Sequence, residues 1–468
     1  MSSQHASAIT ARLDRLPLSR HIWVLVVLLS LGGWFELYDL LMTGYVSPGL
    51  IRAGIFSANE GLFGLPDQAA FASVTFAGLF VGTILFAQVA DRFGRRAIFT
   101  FALLWYALAT AVMAAQSTRF GVNLWRFIAG VGVGVELVTI DAYIAELVPK
   151  AVRGRVFAIN QAIQFSSAPV VAGLSALLIN MDPLGLAGWR WIALVPAVGA
   201  VLVWWIRRAV PESPRWLAQH RRAEEAETVI AAIEAKVVAE TGQPLPQPGP
   251  GVAESGGAGF GEIWQPPYRS RTIMLSVFNF FQTIGFYGFG NWVPALIAAQ
   301  GVTFTKGPVY AAIIAIVYPF GPLLCSLIAD QIERKWQIVG AAFGTAIFGL
   351  LFWRSGDEVP LLILFGVLIT TSNNLLSYAY HAYQAELFPT RVRARAVGFV
   401  YSFSRLSTVF TSFMIGFFLQ NFGNGGVFGF IAFAMVVVMI SIGVFGPRTS
   451  GRALEEISAA APQAAGAR

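Results

Sequence analysis

Six ionisable side chains interrupt long apolar stretches of this chain: Glu36, Asp39, Arg126, Glu136, Asp141 and Arg405. Ionisable groups in such surroundings are costly and mark functional sites by default. A carboxylate there can take up and release a proton. A guanidinium stays charged at any working pH, so it needs an anion, a carboxylate or water beside it. Glu36 stands one helical turn before Asp39, on the same face, and is its main competitor as a proton carrier. Glu136 either binds a proton or cationic group, or is a protonated carboxyl hydrogen-bonded between helices. Asp141 lies nearer a helix end, at an entrance or in a latch. Arg405 sits in Tyr401-Ser-Phe-Ser404-Arg405-Leu-Ser407-Thr408 with no acid beside it on the same helix. It meets either a substrate anion, through the bidentate fork a guanidinium offers a carboxylate, or Glu136 in a salt bridge.

The elements that carry these residues follow from composition. Of 468 residues, 56% are hydrophobic and 12% charged, about half the charge of an ordinary soluble chain. Apolar runs near 20 residues recur, the length that crosses roughly 30 Å of hydrocarbon. They predict an all-α polytopic membrane protein with twelve transmembrane helices near 21–46, 69–90, 97–116, 121–147, 155–180, 189–208, 271–299, 307–330, 336–354, 359–388, 395–421 and 426–446. The expected divisions are a tail over 1–20, a six-helix bundle over 21–208, a linker with short helices over 209–270, a second bundle over 271–446 and a tail over 447–468. Residues 1–20 are polar and the apolar run after them is too long for a cleaved signal.

Sidedness follows from Lys and Arg. Alternate loops that include both termini hold 25 of the 32, the opposite loops five, and Arg126 and Arg405 lie inside spans. The positive-inside rule places both termini in the cytoplasm, and a bacterial inner membrane fits. The net charge of +7 is therefore a topology signal, and no nucleic-acid partner is expected. One Cys and four scattered His residues exclude a disulfide framework and a metal site. No nucleophile–base set supports an enzyme, no GxxxxGK[ST] motif supports a nucleotide motor, and no cofactor is expected.

The halves repeat. Glu146-Leu-Val-Pro149 is followed by Arg153 and Arg155; Glu386-Leu-Phe-Pro389 by Arg393 and Arg395, at the same spacing. Asp91 precedes Arg95-Arg96, and Asp330 precedes Arg334-Lys335. A carboxylate at one helix end can hold a guanidinium and the terminus of a neighbouring helix. These clusters, with Arg92, read as a cytoplasmic gate, closed in one state and broken in another.

Ala87-Gln-Val-Ala-Asp91-Arg92-Phe-Gly94-Arg95-Arg96 resembles the loop 2–3 signature of the major facilitator superfamily, with Ala87 in place of its leading Gly. Arg126 before Gly130-Val-Gly132-Val-Gly134, Glu146 with Arg153-Gly154-Arg155, PESPRWL at 211–217 and Gly451-Arg-Ala-Leu-Glu455-Glu456 are similar to the sugar-porter branch. The resemblance implies the major facilitator fold, two six-helix bundles rocking about a midplane site, in a monomeric secondary transporter. It also implies that Asp39 and Arg126, at roughly 27 and 31 Å above the cytoplasmic face by helical rise, form a proton-coupling pair. The alternative is a static ion pair.

Measured against sugar porters, the sugar positions are eroded. Asn160-Gln161 is kept, but the second glutamine is Ala168; Gln282 is kept, but the later asparagine is Tyr287; the aromatic before Glu386 is His381. Superfamily members that carry organic anions often use an arginine on the eleventh helix, where Arg405 stands. Gln161, Gln164, Gln282, Tyr287, His381, Asn373 and Asn374 are candidates to orient a substrate, or else they tie helices together. The expectation is proton-coupled import of a small organic anion, a carboxylate or aromatic acid. The rivals are a sugar or polyol carrier, a cation or drug exporter, and a transporter-like sensor.

Overall fold

A computed structural model describes residues 2–58, 61–149, 153–220, 222–248, 260–302, 306–328, 331–388 and 390–449. The side chains of Asp91, Arg92, Glu136, Asp141 and Arg153, and Asp330 and the Gly451–Glu456 stretch altogether, lie outside the described residues. The helices in chain order are α1 (Ser2–Asp14), α2 (Arg20–Arg52), α3 (Asp67–Phe93), α4 (Arg95–Ala114), α5 (Arg119–Leu147), α6 (Arg153–Phe165), α7 (Ser167–Leu178), α8 (Gly188–Ala209), α9 (Pro214–Gln219) and α10 (Ala223–Thr241). They continue as α11 (Tyr268–Gly290), α12 (Val293–Ala298), α13 (Gly307–Ala315), α14 (Phe320–Ile328), α15 (Arg334–Arg354), α16 (Val359–Glu386) and α17 (Thr390–Phe445).

Among the described residues, each of the twelve expected spans falls on helix. The spans expected at 155–180, 271–299 and 307–330 are each broken in two, at Ser166, at Asn291-Trp292 and between Ala315 and Phe320. The two expected at 395–421 and 426–446 share α17, which is interrupted at Gly423 with φ +60°. The chain doubles back there, because the Phe418 and Phe430 rings stack at 5.0 Å, whereas twelve residues of straight helix would set them about 18 Å apart. The first crossing runs to Arg52 rather than 46. Its 33 residues reach about 50 Å, well past the hydrocarbon.

Local chemistry fixes several helix starts. Ser19 Oγ accepts the Ile22 N–H at 3.3 Å to open α2, and Thr118 Oγ1 accepts the Gly121 N–H at 3.1 Å to open α5. Such caps satisfy donors that have no intrahelical partner.

The chain forms two compact units. The first comprises Met1–Phe56 and Val74–Glu254. In it α2 packs on α5, α6, α7 and α8, and α4 packs on α5 and α8. From Phe35 to Leu50 every residue of α2 is buried, the polar Glu36, Asp39, Thr43 and Ser47 included. Glycines bring α3 and α5 close together. A Cβ added at Gly78 or Gly82 would collide with the carbonyls of Phe127 and Val131, and one at Gly130 or Gly134 with those of Thr75 and Leu79. Two small-xxx-small stripes thus face one another and let the backbones touch.

The same unit holds the linker helices. Ile9, Leu13 and Leu16 are buried, and α1 lies against α9 and α10. The expected polar tail is therefore a docked helix.

The second unit comprises Ser57–Ser73 and Ser255–Arg468. In it α11 packs along α17, α15 on α16 and α17, and α13 and α14 on α16. The first turns of α3 belong here: Gln68 Nε2 donates to the Asn291 carbonyl at 3.1 Å and Ser73 Oγ to the Val409 carbonyl at 2.8 Å.

Candidate functional site

Within the first unit, Asp39 of α2 and Arg126 of α5 form an ion pair, Nη1 to Oδ2 at 2.7 Å, with both side chains fully buried. The α3–α5 glycine contact brings a third helix into reach. Arg126 Nε donates to Thr75 Oγ1 at 2.9 Å. Its Nη2 donates to Thr43 Oγ1 at 2.8 Å and to the Asp39 main-chain carbonyl at 2.6 Å. The other carboxylate oxygen accepts the Thr110 hydroxyl of α4 at 3.0 Å. One acid–base pair therefore ties α2, α3, α4 and α5. Burying two charges is unfavourable unless the remaining donors and acceptors are satisfied, and three threonines do this. The sequence reading missed Thr43, Thr75 and Thr110; Thr43 was within sight, one turn after Asp39. Glu36 is also buried, at 6% exposure.

On α6, Gln164 donates to Asn160 Oδ1 at 3.0 Å and covers Gly33 of α2. Gln161 is half-buried.

In the second unit, Arg405 is 3% exposed. Its Nη2 donates to the Tyr401 hydroxyl at 3.0 Å and Nη1 to the Tyr287 hydroxyl at 3.5 Å, while its guanidinium carbon lies 4.7 Å from the Tyr401 ring centre. A guanidinium has five N–H donors. Those two bonds are its hydrogen bonds among the described residues, and no carboxylate there reaches it. Tyr380 stacks on His381 at 4.1 Å, and the His381 ring meets Tyr401 at 5.7 Å. The structure thus gathers Arg405, Tyr287 and His381 with Tyr380 and Tyr401, which the sequence reading did not select. Tyr401 is readable in retrospect, one turn before Arg405.

Two candidates make the helix-tying contacts given as their alternative. Asn373 accepts the Thr345 hydroxyl at 3.2 Å and donates to the Gly285 carbonyl at 3.2 Å. Asn374 donates to the Tyr318 carbonyl at 3.2 Å. Both are buried and tie neighbouring helices, because an amide in a water-poor bundle is held most firmly by an adjacent backbone. Gln282 is also buried.

At the helix ends that carry the repeated motifs, the repeated acids pair inside their own units. Glu146 Oε1 meets Arg95 Nε at 3.2 Å, and Glu386 meets Arg334. Each glutamate keeps its second oxygen buried and, among the described residues, without a hydrogen bond. Arg393 donates to the Phe388 carbonyl at 3.1 Å, while Arg155 and Arg395 are exposed. The N-terminus of α4, where Arg96 stands, is capped by a residue not anticipated. Glu212 Oε1 accepts the N–H groups of Arg95 at 3.0 Å and Arg96 at 3.3 Å.

Beyond these ends, Arg12 pairs with Glu227 and Glu234, Arg15 with Glu234 at 2.6 Å and Arg215 with Asp14 at 2.8 Å. Burial alone would raise the Glu234 carboxyl, but the hydrogen bonds and charges of Arg12 and Arg15 more than reverse this and hold it below its ordinary value.

A family model described as sugar (and other) transporter matches residues 25–461. The putative metabolite transport protein YyaJ of Bacillus subtilis is 32% identical over 94% of this chain and 96% of its own. The chain belongs to the sugar (and other) transporter family. It is an integral membrane transporter of major facilitator fold, not an enzyme. The niacin transporter NiaP of Acinetobacter baylyi is 24% identical over 96% of this chain and 99% of its own. The xylose transporter XylE from E. coli, in a partially occluded inward-open structure, superposes with a TM-score of 0.74 at 20% identity, over 93% of this chain and all of that one. At that identity the likeness to XylE speaks for the fold alone.

Proposed function

We propose that this transporter imports a small organic anion, a carboxylate or aromatic acid, by proton-coupled symport with alternating access. The observation that carries the anion is Arg405: a buried guanidinium, framed by tyrosines, with two of its five donors used among the described residues. A carboxylate would take two of the rest in a fork and neutralise the buried charge. The likeness to a niacin transporter supports the same class, since niacin is an aromatic acid. Asp39 is the proton carrier in this reading, and Arg126 its release partner. Protonation removes the charge that holds Arg126 and frees α2, α4 and α5 to rearrange. Glu36, one turn away, would relay the proton, and Glu136 remains a further candidate. The paired glutamates, with Asp91, Arg92, Arg153 and Asp330, form the cytoplasmic gate.

An inside-negative potential opposes entry of an anion, and a co-transported proton cancels that charge. The reading places the protein in a bacterial inner membrane with both termini cytoplasmic and working as a monomer, since each proposed site lies within one unit.

The test is ligand-induced thermal stabilisation of purified protein, followed by uptake in proteoliposomes. The panel sets benzoate, nicotinate and mono- and dicarboxylates beside neutral sugars and polyols. Ligand at 100 times its Kd stabilises the folded state by about 2.7 kcal/mol. Carboxylates are expected to stabilise the protein and to lose that effect in Arg405→Ala. Stabilisation by sugars alone, unchanged in Arg405→Ala, would return the chain to the sugar carriers.

A further inference from the structure

Resting on the anion reading of Arg405, we propose that His381 is a specificity-determining residue that selects a hydrogen-bond donor on the substrate, so that the preferred class is the hydroxyl-bearing aromatic carboxylate.

The argument begins with one hydrogen bond. His381 Nδ1 lies 2.7 Å from the Ser377 carbonyl oxygen. A carbonyl oxygen only accepts, so Nδ1 carries the proton. In a neutral imidazole the second nitrogen is then an acceptor. That nitrogen, Nε2, points away from the helix backbone on a ring that is exposed, and the Nδ1 contact is the ring's hydrogen bond among the described residues. Stacking on Tyr380 at 4.1 Å and the edge contact to Tyr401 at 5.7 Å hold the ring in place, so the acceptor is presented in a fixed direction.

The cation stands beside it. Arg405 covers the same Tyr401 ring at 4.7 Å. A fixed acceptor and a buried cation thus flank one tyrosine, within reach of a single small aromatic molecule. Tyr287, Tyr380 and Tyr401 supply ring surface for an aromatic body, which stacks favourably at centroid separations of about 4.5–7 Å. A ligand complementary to this set carries a carboxylate at one end for Arg405 and an O–H or N–H elsewhere for His381. Benzoate has the anion without the donor. Nicotinate has the anion and a ring nitrogen that accepts, which leaves two acceptors facing each other.

The experiment measures Kd by titration calorimetry for benzoate, 3- and 4-hydroxybenzoate and nicotinate. It compares the wild type with His381→Phe, which keeps a ring and removes the acceptor, and His381→Gln, which keeps an acceptor at the reach of Nε2. The wild type is expected to favour one hydroxybenzoate over benzoate by about three- to tenfold, the worth of one net hydrogen bond, and to bind nicotinate no better than benzoate. That preference is expected to vanish in His381→Phe and to return in His381→Gln, while benzoate affinity stays level across all three. A role in packing alone would move every ligand together. If the wild type binds these anions without preferring a hydroxyl, or if His381→Phe keeps the preference, the assignment of His381 is overturned and the anion site survives. If no aromatic acid binds, or binding is unchanged in Arg405→Ala, the anion reading falls and this inference with it.

Discussion

Replacing Asp39 by Asn removes one charge from a pair that has no exposed surface, and the consequence for transport can be worked through. The amide keeps an oxygen to accept from Arg126 or Thr110, and Arg126 keeps Thr43, Thr75 and the residue 39 main-chain carbonyl. What is lost is the negative charge. Breaking a buried ion pair outright costs roughly 3–5 kcal/mol; with neutral acceptors retained, the stability loss should fall at or below the low end of that range. The transport effect is larger and of opposite kind for two assays. For one proton carried with a monovalent anion, the wild-type cycle moves no net charge, and one unit of pH gradient supports about tenfold accumulation. A protein that carries the anion without its proton instead works against the potential. At 100 mV, inside negative, that is about 2.3 kcal/mol per charge, which holds the interior near one-fiftieth of the outside concentration. Substrate exchange with equal anion on both sides needs no proton and should persist in Asp39→Asn. The assay is radiolabelled substrate in proteoliposomes under an imposed pH gradient, with exchange as the control for folding. Asp39→Asn that accumulates substrate like the wild type would refute the role of Asp39. The same assay on Glu36→Gln would then show whether the proton travels there.

Gly130→Ala places a methyl against the Thr75 carbonyl; overpacking of this kind costs about 1–3 kcal/mol, and a lower apparent Tm in detergent checks it. Glu212→Ala removes the acceptor for two N–H groups at the start of α4, with an expected loss of about 1 kcal/mol read by the same melt; an unchanged Tm would mean that water caps the helix equally well. Glu234→Gln should loosen α1 from α10, since that carboxylate holds Arg12 and Arg15, and limited proteolysis should then cut the N-terminal helix faster. The pH dependence follows from the lowered Glu234 carboxyl. Its contribution is complete above the ordinary carboxylate value and is lost as pH falls through the lowered one. Acid-enhanced cleavage near α1 should therefore appear in the wild type and be absent in Glu234→Gln.

Much of this protein was legible in its sequence because the bilayer imposes local rules. A span must be long, apolar and helical, so composition and run length reveal the crossings, and Lys and Arg counts predict their direction. The repeated acids and arginines declared a duplicated half because their spacing is covalent. The rare charges inside spans identified Asp39, Arg126 and Arg405 one by one, as each is expensive enough to stand out.

Partnership was not written locally. Thr75 and Thr110 are unremarkable among apolar neighbours; Thr75 reaches Arg126 where the glycines of α3 and α5 let two backbones meet, and Thr110 reaches Asp39 from α4. Asn373 and Asn374 looked like Gln282, yet two of the three are spent on neighbouring carbonyls, a matter of which backbone lies opposite. Glu212 comes 116 residues after Arg96, in the helix turn it caps. Hydrophobic length and charge are properties of a segment and can be read along the chain. Hydrogen-bond satisfaction is a property of atoms brought within about 3 Å of each other, and only the packing of helices distant in sequence decides it.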